Sequence, residues 1–313
     1  MSLETPSPDM EAPLRTGYVT LLGRPNAGKS TLMNSLIGQK LSIVTPKAQT
    51  TWQRVTGIHT TDRTQAVFLD TPGLLVAKDL FQRSMLEEAL EAVREGDVIV
   101  LLVDATDPLH QAEKNAIGEA LSLSSAQLIV VINKIDEATP EGIAAISEWA
   151  RAEFDVEALG LSALHGRGIA ELWAEIQAAL PEGPFLYPAD DIAAAPVRFF
   201  VGEFIREAIF EQFREEVPYS VFAVIDEFRE EQDPVYIKAD LFVERNSQKG
   251  ILVGDRGTAI RELGRSSRKK IEEFIGRRVY LELRVKLRPK WRRRGKDLGR
   301  FGFRVPVGQA GNE

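Results

Sequence analysis

Short apolar runs alternate with amphipathic stretches through the first half of the chain. Residues 18–22, 64–69, 98–103, 128–132 and 156–161 are dominated by aliphatic and aromatic side chains, which predicts strands buried on both faces. Between them, residues 30–37, 80–93, 112–123 and 168–180 repeat their apolar positions at helical spacing, and Thr139-Pro140-Glu141 opens a further helix. On the 80–93 stretch Met85, Leu86, Ala89, Leu90 and Val93 share one face. Residues 38–51 are polar and turn-rich, with no apolar period, and read as a loop. Alternating strands and helices predict an α/β fold with a mostly parallel sheet covered by helices.

The pattern changes after residue 180. Pro181, Pro184 and Pro188 interrupt every period, which makes 181–195 a semi-rigid linker. Residues 197–213 then return to helical spacing. Residues 220–228 and 235–243 read as antiparallel strands around a turn at 231–234, a basic helix covers 261–270, and 278–287 alternates as a last strand. The expected organisation is a tail at 1–15, an α/β domain at 16–180, the linker, an α+β domain at 196–300 and a tail at 301–313.

Charge sharpens this division. Residues 241–313 hold 20 Lys and Arg against 8 Asp and Glu, a net of +12, whereas residues 1–240 hold 19 against 38, a net of −19. A basic end on an acidic body points to a polyanion partner at that end. The chain of 313 residues has no cysteine, so disulfides and thiolate metal sites are excluded. The aliphatic run 98–103 is far too short to cross a bilayer, and residues 1–15, with Pro6, Pro8 and Pro13, lack the basic start and apolar centre of a signal peptide.

Three motifs fall where the predicted strands of the first domain end. Gly23-Arg24-Pro25-Asn26-Ala27-Gly28-Lys29-Ser30, followed by Thr31, reads Gly-x-x-x-x-Gly-Lys-Ser between a strand and a helix. A polyphosphate needs several backbone N–H groups aimed at one point, and glycine lets the backbone approach. Lys29 supplies charge for the β- and γ-phosphates, and Ser30 a hydroxyl for Mg²⁺. Asp70-Thr71-Pro72-Gly73 places a carboxylate for Mg²⁺, usually through water, and a backbone N–H at Gly73 for the γ-phosphate. Asn133-Lys134-Ile135-Asp136 offers a carboxylate that accepts from guanine N1–H and N2, a donor pair adenine lacks. Asn133 would tie this loop to the phosphate loop and Lys134 cover the base, while the Ala163 N–H after Ser162 would meet guanine O6. Either Thr of the Thr50-Thr51 pair could reach the Mg²⁺.

In the second domain, Gly254-Asp255-Arg256-Gly257 lies between Val253 and Ile260-Arg261. Such a Gly-x-x-Gly loop meets a sugar-phosphate chain through its backbone. Asp255 would repel phosphates, so it is expected to point away or pair with Arg256. Residues 284–300 carry nine basic residues and one acid, Asp297, around Trp291. Arg288, Lys290, Trp291 and Arg292 are therefore expected to contact RNA, with Trp291 stacking on a base; the alternative for Trp291 is docking on its own domain.

The phosphate loop, Gln49-Thr50-Thr51 and Asp70-Thr71-Pro72-Gly73 resemble translation-factor-type GTPases, the Era branch in particular, and the Gly-x-x-Gly region resembles a type II KH domain. The resemblance spans residues 17–300. It implies a P-loop GTPase domain followed by a KH domain, with GTP, GDP and Mg²⁺ as cofactors. It makes Ser30, Asp70 and one of the Thr pair, Thr51 by preference, the metal ligands, and Asn26, Lys29, Thr51 and Gly73 the catalytic set. Related GTPases with a Gly-x-Pro-Asn loop hold potassium there, which assigns K⁺ to Asn26; the alternative is a side chain that stabilises its own loop. Further implications are a cytoplasmic ribosome-assembly factor, monomeric, that binds the 3′ end of 16S ribosomal RNA on the 30S subunit and not DNA. Peripheral membrane association is left open, and no segment demands it. Two departures stand out. Leu74 replaces the glutamine that orients water in Ras-like proteins, so intrinsic hydrolysis is expected to be slow, and Leu164 replaces their lysine. The competing readings are an RNA-binding switch with little turnover and an ATP-driven RNA enzyme, against which Asp136 speaks. His59, His110 and His165 read as surface or loop residues.

Overall fold

The computed structural model describes residues 13–306, and the parts of the expected tails at 1–12 and 307–313 lie outside it. Packing divides the chain into two compact units: the described residues through Gln39 with Val55–Thr71 and Leu90–Ala194, and Lys40–Arg54 with Pro72–Ala89 and Ala195 onward. Two segments of the first half of the sequence thus pack with the second half, where the sequence pattern suggests one cut at 181–195.

The first unit holds a sheet of β1 (Arg15–Gly23), β2 (Val55–Thr60), β3 (Thr64–Asp70), β4 (Val98–Asp104), β5 (Gln127–Asn133) and β6 (Leu159–Gly160). Their order is β2-β3-β1-β4-β5-β6, with only β2 antiparallel to its neighbour. β3 and β4 are buried at every residue, as strands covered on both faces must be. Helices α1 (Lys29–Ile37), α2 (Leu80–Glu95), α3 (Gln111–Leu121), α4 (Pro140–Phe154) and α5 (Ile169–Ala179) alternate with the strands, and the first turns of α2 count with the second unit. Thr139 caps α4 by accepting from the Gly142 N–H at 3.2 Å, with Pro140 at the first helical position. β2 escapes the sequence reading because Thr56, Gly57, His59 and Thr60 give it little apolar signal; it forms as an edge strand because β3 offers it a partner. The predicted 156–161 strand shrinks to two residues, since only Leu159 and Gly160 find partners on β5.

The second unit contains α6 (Val197–Gln212), the short α7 (Val217–Ser220), β7 (Phe222–Arg229), β8 (Val235–Val243), α8 (Asn246–Val253), α9 (Thr258–Ile275), β9 (Val279–Leu287) and α10 (Gly295–Arg300). β8 is central, antiparallel to β7 and parallel to β9. Phe200 and Phe204 of α6 pack on Phe274 of α9, with ring centres 5.4 and 5.0 Å apart. A second cluster joins Trp52, Phe81 and Met85 to Phe210, Phe222, Phe242, Trp291, Leu298, Phe301 and Phe303.

Candidate nucleotide and RNA sites

In the first unit, β1 runs into the phosphate loop and α1 leaves it. Asn26 at φ 64° and Gly28 at φ 99° turn the backbone through the left-handed region. A Cβ at Gly28 would lie 2.1 Å from Asn133 Nδ2, so only glycine fits there. Lys29 is buried, and its Nζ donates to the carbonyls of Gly23 at 3.1 Å and Arg24 at 2.8 Å. Burial pushes its ammonium down to about 8, with the charge of Asp70 working the other way. The Ser30 hydroxyl donates to Asp70 at 2.6 Å, and the Thr71 hydroxyl to the Leu21 carbonyl at 2.9 Å. Two oxygen donors this close, one a fully buried carboxylate, fit a small hard cation such as Mg²⁺. Arg24 is held away from solvent by Glu113 at 2.8 Å and by Asp107.

The guanine loop follows β5. Asn133 Nδ2 donates to the Ala27 carbonyl at 2.7 Å, which joins this loop to the phosphate loop. Its Oδ1 accepts the Ala163 N–H at 3.0 Å. In this conformation the N–H expected to meet guanine O6 is thus engaged with Asn133. Asp136 is held below the ordinary carboxylate range, first by a hydrogen bond from Ser162, with His165 and Arg167 adding their fields. His165 Nε2 lies 3.4 Å from Asp136 Oδ2, so one of the scattered histidines stands against the base-reading carboxylate. Lys134, at φ 64°, pairs with Asp104 at the end of β4, a partner that sequence reasoning missed. Burial works against the charged form of Asp104, but hydrogen bonds from Lys134 and Thr106 outweigh it and keep the carboxyl below its ordinary range.

The second unit carries Thr51 and Gly73, both buried, in its two segments from the first half of the sequence. It also carries the Gly-x-x-Gly loop, between α8 and α9. Gly254 sits at φ 72°, ψ 175°, and a Cβ there would meet the Ala259 nitrogen at 2.8 Å. Arg256 has φ 48°, and the Arg261 guanidinium donates to the carbonyls of Arg256 at 3.0 Å and Gly257 at 3.1 Å. Arg261 therefore shapes the loop. Asp255, Arg256 and Arg261 are exposed, and Val253 and Ile260 flank them half-buried.

The basic segment differs from expectation. Trp291 is fully buried among Trp52, Phe81, Phe222 and Phe301, and its Nε1 donates to the Ser220 carbonyl at 3.2 Å. It cannot stack on a base from there; an indole needs to bury its apolar ring, and this cluster satisfies both ring and N–H. Arg288 makes a two-pronged pair with the buried Asp297 at 2.9 and 2.6 Å. Arg292 lies 3.0 Å from Asp79 and over the Phe81 ring. The exposed cations of this segment are Arg284, Lys286, Lys290, Arg293, Arg294, Lys296 and Arg300, of which Arg284 pairs with Glu282 and Lys286 with Asp240.

A phosphate loop, a strand-end carboxylate and a guanine-reading loop on a parallel sheet, followed by a three-stranded domain with a Gly-x-x-Gly loop, define a GTPase joined to a KH domain. The comparisons agree. A family model described as 50S ribosome-binding GTPase matches residues 18–134, and one described as KH domain matches residues 216–292. The GTPase Era of Leuconostoc citreum (strain KM20) is 38% identical over 296 residues, covering 94% of this chain and 98% of that protein. An Aquifex aeolicus Era variant bound to GDP·AlF₄⁻ superposes with a TM-score of 0.88 at 37% identity, over 93% of this chain and 100% of the other. Era in complex with MgGDPNP and nucleotides 1506–1542 of 16S ribosomal RNA superposes with a TM-score of 0.89 at 38% identity, with the same coverage. The chain belongs to the Era family of GTPases. It is a GTPase, and guanine nucleotide and Mg²⁺ are the cofactors that go with the family.

Proposed function

We propose that this GTPase binds the single-stranded 3′ end of 16S ribosomal RNA and acts in assembly of the 30S subunit, in the cytoplasm. The observation that carries the reading is the Gly254–Gly257 loop, in which Gly254 leaves no room for a side chain, together with the similar protein complexed with that RNA. The domain limits we assign are 16–180 and 196–300, with the segments around Thr51 and Gly73 serving the nucleotide; Phe301 and Phe303, expected in the tail, instead pack in the cluster of the second unit.

Within the nucleotide site, the phosphate-loop residues from Gly23 to Thr31 bind the polyphosphate, with Lys29 turning from its two loop carbonyls to the β- and γ-oxygens. Ser30, Thr51 and Asp70 would hold Mg²⁺, which when bound offsets charge developing between the β- and γ-phosphates. Pro72 and Gly73 present a backbone N–H to the γ-phosphate. Asn133, Lys134, Asp136, Ser162 and Ala163 form the guanine end, where Ser162 orients Asp136. Asn26 holds K⁺ beside the phosphates, since Leu74 cannot orient water and intrinsic turnover needs another source of positive charge. Turnover faster in KCl than in NaCl at equal ionic strength is the expected result, and equal rates would remove this role.

The RNA reading is tested with a labelled RNA of the 16S 3′-terminal sequence and a scrambled RNA of equal length, titrated with full-length protein holding a GTP analogue. Preferential binding of the native sequence supports it. Equal affinity for both RNAs would leave a general polyanion site.

A further inference from the structure

Within the first unit the phosphate loop is one member of a ring of three loops, and Arg24 closes that ring. The guanine loop reaches the phosphate loop through Asn133 Nδ2, which donates to the Ala27 carbonyl at 2.7 Å. The segment leading from β4 into α3 reaches the guanine loop twice. Asp104 pairs with Lys134, and the Ala105 N–H donates to the Asn133 carbonyl at 3.0 Å. The same segment reaches the phosphate loop through the Arg24 guanidinium. Its Nη1 donates to Glu113 at 2.8 Å and to the Pro108 carbonyl at 3.3 Å, and its Nη2 donates to Asp107.

The Arg24 side chain is only 15% exposed, and both of its terminal nitrogens are spent on residues 107–113. Glu113 is fixed in turn, because its carboxylate accepts the His110 N–H at 2.9 Å where α3 begins. A planar guanidinium that meets two carboxylates and a carbonyl of one segment holds two stretches of backbone at a set spacing. The backbone of Arg24 serves the loop itself. Its carbonyl accepts the Ala27 N–H at 3.3 Å and Lys29 Nζ at 2.8 Å. One residue thus joins the segment before α3 to the shape of the phosphate loop and to the resting place of its lysine.

We propose that Arg24 is a positioning residue of the nucleotide site: its side chain straps the phosphate loop to the segment between β4 and α3, so that the empty loop keeps its nucleotide-accepting shape. The inference rests on the reading of residues 23–30 as the phosphate loop. A loop already in its binding shape loses little freedom when nucleotide arrives. A loop released from that shape is competent for only part of the time, and apparent affinity falls by that fraction. GDP and GTP share their α- and β-phosphates, so the loss falls on both alike.

The test measures affinities for GDP and for a non-hydrolysable GTP analogue, both with Mg²⁺, together with kcat and melting temperature. Amide hydrogen exchange of the peptide spanning 23–30 is followed in the nucleotide-free protein. The proteins are full-length wild type, Arg24→Met, Arg24→Lys, Asp107→Asn, the double variant Arg24→Met/Asp107→Asn, and Lys29→Ala. The side chains of Asp107 and Glu113 are 58% and 34% exposed, so water solvates the carboxylates that Arg24→Met releases. Asp107→Asn keeps the arginine and carries the test where Arg24→Met does not fold. In Arg24→Met both affinities are expected to fall about fivefold, the scale of a partly buried ion pair, and exchange at 23–30 to quicken. Arg24→Lys, a point charge in place of a fork, recovers part of the loss. Asp107→Asn loses less, and the double variant loses no more than Arg24→Met, since both changes cut one link. Unchanged affinities, a loss confined to one nucleotide, or a lower melting temperature with wild-type affinity and exchange would each overturn the proposal. So would a fall in kcat with both affinities intact, which would make Arg24 a group that acts on the reaction itself. Lys29→Ala separates the two levels. If it abolishes binding while the Arg24 and Asp107 variants bind like wild type, only the strap falls; if it binds like wild type, the phosphate-loop reading falls and the strap with it.

Discussion

At the scale of single residues, Lys29 ties charge to burial. Its ammonium is pushed to about 8 from an ordinary 10.5 because it is desolvated, so folding without nucleotide favours the neutral form. The sign follows: above about 8 the native state has released a proton that the unfolded chain keeps, and stability of the nucleotide-free protein rises with pH up to the unfolded value. Phosphates reverse the preference, since they need the charged amine. Nucleotide binding at about pH 9 should take up close to one proton, and affinity should fall about tenfold per unit above the folded value. Calorimetry in two buffers of different ionisation heat measures this, and a binding heat independent of buffer would contradict it. Asp136 makes the opposite case of a carboxylate kept charged, by Ser162 before His165 and Arg167. Asp136→Asn should weaken GTP and admit xanthine nucleotides, because the amide donates where the carboxylate accepted. Competition between GTP and XTP for the variant reads this directly, and a retained preference for GTP would reject the assignment.

At the scale of elements, the parallel strands were legible because strands buried on both faces are continuous aliphatic runs, as in residues 98–103. The phosphate loop was legible because Gly28 has no room for a side chain beside Asn133 and so leaves a mark in the sequence. Three features were not. β2 draws its stability from pairing with β3, which no local pattern encodes. The partnership of Asp104 with Lys134 depends on β4 and β5 lying side by side. Trp291 among Lys and Arg looks the same in sequence whether its ring faces RNA or a core. The structure puts it in the core with Phe81, Phe222 and Phe301. Trp291→Ala should therefore cost on the order of 3–5 kcal/mol of stability through the cavity it leaves. Its effect on RNA affinity, measured well below the melting temperature, should be small. A variant that melts like wild type but loses about 1–3 kcal/mol of binding would restore base stacking.

At the scale of the whole chain, charge decides how RNA is met. Residues 1–240 carry a net of −19 and residues 241–313 a net of +12, so the body repels a polyanion that the C-terminal region attracts. Not every cation there is available. Arg288 is committed to Asp297, and Arg292 to Asp79 and the Phe81 face. Lys290, Arg293, Arg294 and Lys296 are exposed. Each phosphate contact on a single strand contributes a slope of about −0.7 to log affinity against log salt, because counterions are released. Replacing Arg293, Arg294 and Lys296 together by Gln should therefore flatten the slope by about 2 units and weaken native and scrambled RNA alike. Arg288→Gln should behave differently. It strands the buried Asp297 carboxylate, so it should lower stability by about 1–3 kcal/mol and leave the slope as it was. Salt titrations of both variants by fluorescence anisotropy, with melting curves beside them, separate the two classes of cation. A slope that changes for Arg288→Gln and not for the triple variant would mean that RNA breaks the Asp297 pair and takes Arg288 for itself.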